Sequence, residues 1–69
     1  MEFNFSKSGR FIVDMNAAGR RRFRTESDAR AYAAWATAGW HGKVSVWQQD
    51  KTTKHLTMLD TYRAGQPTI

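Results

Sequence analysis

Sixty-nine residues allow one domain at most. A chain this short buries only about 60% of the surface it exposes when unfolded, so its core is thin. With no cysteine it has neither a disulfide nor a thiolate zinc site. Its formal net charge of +5 favours an acidic partner, nucleic acid or an anionic protein surface ahead of a membrane, and its 13% aromatic content sets it apart from a disordered chain.

Residues Glu2 to Ser6 alternate polar and apolar, with Phe3 and Phe5 on one side, which predicts a first strand. Lys7-Ser8-Gly9 is turn chemistry. A second strand runs from Arg10 to Met15. Phe11, Val13 and Met15 face one way, and Ile12 and Asp14 the other. Asn16-Ala17-Ala18-Gly19 reads as a hairpin loop in which Gly19 takes a positive φ. Arg20 to Arg24 returns as a third strand, with Arg20, Arg22 and Arg24 on one face and Arg21 and Phe23 on the other.

Thr25-Glu26-Ser27-Asp28 opens a helix: Thr25 is an N-cap, and the two acids suit the positive end of the helix dipole. Ala29, Tyr32, Ala33, Ala36 and Trp40 follow the spacing of a buried stripe, Trp35 lies off it, and Gly39 is a natural stop. A fourth strand spans Lys43 to Gln49, with Val44 and Val46 opposing Ser45 and Trp47. A loop at Asp50 to Thr53 leads to a fifth strand, Lys54 to Tyr62, in which Leu56, Met58 and Tyr62 oppose Thr57, Leu59 and Thr61. Residues 63–69 read as a frayed tail to a domain of residues 1–62.

The order β-β-β-α-β-β predicts an α+β fold, a two-layer sandwich with one helix packed on one face of an antiparallel sheet of four to five strands. Strand phase puts Phe3, Phe5, Phe11, Val13, Met15, Phe23, Val44, Val46, Leu56 and Met58 beneath the helix. It leaves Ile12, Arg20, Arg22, Arg24, Trp47 and Leu59 on the open face, and a slip of one residue reverses a strand's assignment.

Two features of that open face point to binding. Side chains two apart on a strand repeat at about 6.6–6.8 Å, so Arg20, Arg22 and Arg24 form a comb able to meet successive phosphates or carboxylates by forked hydrogen bonds. The plainer alternative is a charged edge strand that resists aggregation. Trp47, with Ile12 and Leu59, forms an apolar patch that could stack on a base, anchor a protein or be covered by the tail or a twin subunit. Arg30 lies on the polar face of the helix, where it is solvated or extends the basic surface.

Catalytic signals are missing. The six carboxylates show no catalytic spacing, and there is no phosphate-cradling glycine loop or nucleophile elbow. His41 and His55, with no cysteine or clustered carboxylate, make a poor metal site, so neither enzymatic activity, a metal nor a cofactor is expected. The longest apolar run, Ala31 to Ala36, is too short to span a bilayer, and no signal peptide is evident, so no membrane partner and a cytoplasmic location are expected.

The segments Asp28-Ala29-Arg30-Ala31-Tyr32-Ala33 and Trp40-His41-Gly42-Lys43-Val44 resemble the helix-to-strand passage of a small phage anti-CRISPR family of the type I-F systems. That resemblance covers about a third of the chain and implies one helix on an antiparallel sheet. It further implies docking on the backbone subunits of a CRISPR surveillance complex, with target DNA blocked from hybridising. It would make Arg30 and Lys43 the matching basic contacts, and host cytoplasm the location. The leading expectation is therefore a non-enzymatic inhibitor that docks on the acidic protein surface of a nucleic-acid-handling complex. A module that binds DNA or RNA directly and a homodimeric structural protein are the alternatives.

Overall fold

The computed structural model describes residues 3–39 and 42–68, and of Ala17 the backbone alone. Trp40 and His41, read above as the end of the helical stripe and part of the anti-CRISPR likeness, lie outside the described residues, as does Glu2. The described chain forms strand β1 (Phe11–Asp14), a 3-10 turn (Asn16–Ala18), β2 (Arg20–Phe23), helix α1 (Glu26–Ala38), β3 (Lys43–Gln49), β4 (Leu56–Arg63) and β5 (Gln66–Pro67). The strands make one antiparallel sheet in the order β2-β1-β3-β4-β5, with α1 on one face. The α+β two-layer architecture is as the sequence predicts.

The β1–β2 hairpin closes where Gly19 takes φ +96°, a conformation closed to most L-residues, and Met15 N–H donates to the Gly19 carbonyl at 2.8 Å. Helix α1 starts at Thr25, which is extended and whose hydroxyl accepts the Asp28 N–H at 3.1 Å, with Glu26 and Asp28 in the first turn. Its buried residues are Ala29, Tyr32, Ala33 and Thr37. The small alanines let the helix lie close over Val13, Phe23, Val44 and Val46, each fully buried.

Two segments differ from the sequence prediction. Among the described residues the N-terminal stretch makes a bridge from Phe5 to Phe23 and a bond from Ser6 N–H to the Arg22 carbonyl at 2.9 Å. It grazes the outer edge of β2 without becoming a strand. The last strand of the sheet comes instead from the segment read as a tail. Ala64 and Gly65 turn at positive φ, and Gln66–Pro67 pairs with Tyr62–Arg63. Buried Thr37 ties this turn to the helix: its hydroxyl donates to the Ala33 carbonyl and accepts the Gly65 N–H, both at 2.9 Å.

A third difference reverses a face. The register between β3 and β4 shifts between Val46 and Trp47, so Val46 opposes Asp60 while Trp47 opposes Met58. Leu59 is the extra residue of this bulge and packs against the helix-side core. From Met58 back to Leu56 the phase is inverted. These two side chains lie on the helix-free face with Trp47 and Gln49, and not beneath the helix as simple alternation predicts.

Candidate binding surfaces

Because direct cross-strand partners share a face, the registers build the helix-free surface row by row. One row runs Arg22, Ile12, Trp47, Met58 across four strands, and a parallel row runs Arg20, Asp14, Ser45, Thr61. Lys43 and Arg63 pair at the end of the same face. Met58 is 42% exposed, Trp47 is half-buried, and Leu56 is half-buried beside them.

Ile12 does not join this as an exposed residue: it is 2% exposed although no helix covers it. Arg22 on β2 sends Nη1 to the Gly9 carbonyl at 3.0 Å and to Gln49 Oε1 on β3 at 2.9 Å. To reach β3 the guanidinium must cross β1, which lies between them. Arg22, the cross-strand partner of Ile12, is therefore held by the fold. Leu59, the third expected member of the patch, is on the opposite face because of the bulge. Trp47 and Met58 make up the accessible apolar centre.

The arginine comb is also dismantled. Arg20 reaches Asp14 at 3.4 Å, Arg22 is bound internally, and Arg24 lies beyond the end of β2, lining a shallow depression with Asn4, Phe5, Thr25 and Asp28. Three equally spaced free guanidiniums do not exist, because one strand position is used for packing and another falls outside the strand.

Arg30, the helical contact implied by the anti-CRISPR resemblance, points into the fold. Nη1 meets Asp60 Oδ2 at 2.8 Å and Tyr62 Oη at 3.4 Å, and Nε meets Glu26 Oε2 at 2.7 Å. Asp60, followed by Tyr62 and Glu26, holds the guanidinium above its ordinary pKa. Lys43, the other implied contact, is exposed on the helix-free face.

Sequence reasoning missed a second surface, at the outer edge of β2. Phe5 was expected in the core but is 54% exposed. Its ring rests on Phe23 at 5.3 Å and Tyr32 at 5.5 Å, with the Arg21 guanidinium 5.9 Å over it. One depression beside it is lined by Phe5, Ser6, Lys7, Arg20, Arg21 and Arg22, and the depression containing Arg24 adjoins it through Phe5. The only hint in the sequence was the nearness of Phe5 and Lys7 to a turn that returns the chain to the arginine strand. Trp35, read as lying off the buried stripe, is 54% exposed, in ring contact with Phe3 and Tyr32.

Among the described residues no group of three His, Cys, Asp or Glu side chains is placed to hold a metal, and no helix is long and apolar enough to cross a membrane. No family model, curated protein or solved structure matches the chain.

Proposed function

We propose that this protein is a non-enzymatic inhibitor that docks, through the helix-free face of its sheet, on the acidic protein surface of a nucleic-acid-handling complex. The observation that carries this reading is the charge arrangement around Trp47 and Met58. Arg20, Arg22, Lys43 and Arg63 share their face, and Asp14 is the one carboxylate that the described strand registers put there. That carboxylate is paired with Arg20. The remaining strand acid, Asp60, is under the helix. An apolar centre with a cationic rim matches an acidic protein patch, and it disfavours a second copy of this chain, whose rim would repel it.

The resemblance to the type I-F anti-CRISPR family supplies the first partner to test, with Lys43 as the carried-over contact that remains accessible. Purified protein is titrated against an immobilised type I-F surveillance complex, and loading of target DNA is followed in parallel. Wild type binds and prevents loading, whereas the double variant Lys43→Glu, Met58→Glu melts as wild type does and loses both effects. Target loading unchanged by saturating wild-type protein would sink the inhibitor reading.

A further inference from the structure

We propose that the cationic cleft around Phe5, at the outer edge of β2, binds single-stranded nucleic acid, with Phe5 and Arg21 receiving a base and Lys7, Arg21 and Arg24 receiving phosphates. The cleft adjoins the sheet face and shares Arg20 and Arg22 with its rim, but its ligand and its test do not depend on protein docking.

Five cations, Lys7, Arg20, Arg21, Arg22 and Arg24, line two depressions that share Phe5. Arg20 and Arg22 are engaged by Asp14, Gly9 and Gln49, so they supply field more than contacts. Arg21 uses one nitrogen on the Arg20 carbonyl, 3.0 Å away, and keeps its other donors for a ligand. Lys7 and Arg24 are exposed on either side of the ring. Asp28 is the one carboxylate lining either depression, and it marks the side from which a phosphate is excluded.

Phe5 is exposed yet positioned. The tilted contact with Phe23 and the edge contact with Tyr32 fix its ring plane, so no ordering of a loose side chain opposes ligand binding. A base arriving there meets a guanidinium and an aromatic ring together, both groups on which unstacked bases settle. A paired base is stacked inside its duplex and offers no free face to the ring, so the single strand is the favoured ligand.

The test is fluorescence anisotropy of a labelled oligo-dT of about 20 nucleotides, and of a duplex of equal length, across a salt series. Lys7→Glu with Arg24→Glu is compared with Lys51→Glu and Lys54→Glu, a charge-matched control in the β3–β4 turn, whose lysines line neither depression. Expected are tighter binding of the single strand than of the duplex and at least about tenfold weakening in the first variant. The control should stay within about twofold of wild type. Lys7→Ala with Arg24→Ala should flatten the log–log salt slope by about 1.4, at roughly 0.7 per phosphate contact removed from a single strand. Phe5→Leu, with its fold checked by circular dichroism, should weaken the single strand alone. The proposal is overturned by negligible binding at low salt, by equal weakening in the control, or by a duplex bound as tightly as the single strand.

Discussion

Arg30 on the helix and Asp60 on β4 meet at 2.8 Å, and this pair fastens the helix to the sheet it covers. Asp60 is 5% exposed, and its other oxygen accepts the Thr61 N–H at 2.8 Å. Arg30→Ala would remove this guanidinium from a buried carboxylate. Breaking a fully buried pair costs roughly 3–5 kcal/mol, and because the guanidinium is one-third exposed the loss expected here is about 1–3 kcal/mol. Chemical denaturation measures it. A change in partner binding with unaltered stability would restore Arg30 to the contact surface.

Gly9 lies against the backbone of β2. A Cβ there would sit 2.8 Å from the Phe23 nitrogen and overlap its carbonyl group. Since backbone cannot swing aside as a side chain can, Gly9→Ala should destabilise by about 2–3 kcal/mol, at the upper end for overpacking. It should also shift the amide resonances of Arg22 and Phe23. A melting temperature equal to that of wild type would show that the Lys7–Gly9 turn does not pack this way.

The bulge in β4 separates two neighbouring residues by face. Met58→Asp should change stability by no more than about 0.5 kcal/mol, whereas Leu59→Asp places a charge against the core beneath the helix and should cost about 2 kcal/mol or more. Parallel urea melts of the two variants decide the matter. The reverse ranking would mean that β4 keeps regular alternation.

Asp50 sets the β3–β4 turn. Its carboxylate accepts the N–H groups of Thr52 and Thr53, each at 2.8 Å, and these bonds, that of Thr53 foremost, hold its pKa below the ordinary 3.8. A depressed folded-state pKa contributes stability that is fully present above the unfolded-state value and is lost as pH falls through the folded one. The advantage of wild type over Asp50→Asn should therefore be constant at neutral pH and close only at pH below 3.8. Thermal melts across the acid range read this directly. A difference that persists at the acid limit would assign the effect to shape and not to charge.

The parts of the fold legible in the sequence are those specified by local chemistry. Thr25 with Asp28 starts the helix, Gly19 supplies the positive φ of the first hairpin, and alternating Val44 and Val46 mark the buried face of β3. Each depends on neighbours a few residues away, so composition and period suffice to find it. The binding surfaces were less legible. Trp47, Ile12, Arg20 and Arg22 were placed on the right face, but the states of Arg22 and Ile12 were not foreseen, because a side-chain bond between separate strands leaves no local trace.

Taken alone, the sequence determined the fold class, the single helix and the excess of positive charge, because period, capping and composition are summed along the chain. Tertiary structure decided which charges are free. Register decided that Leu59 turns inward and Met58 outward, since one extra residue in a bulge inverts every side chain beyond it. Long-range partners decided that Arg30 and Arg22 hold the fold together, while Lys7, Arg21 and Arg24 gather around Phe5. Those contacts join residues far apart in the chain, and only the folded arrangement of the strands brings them within reach.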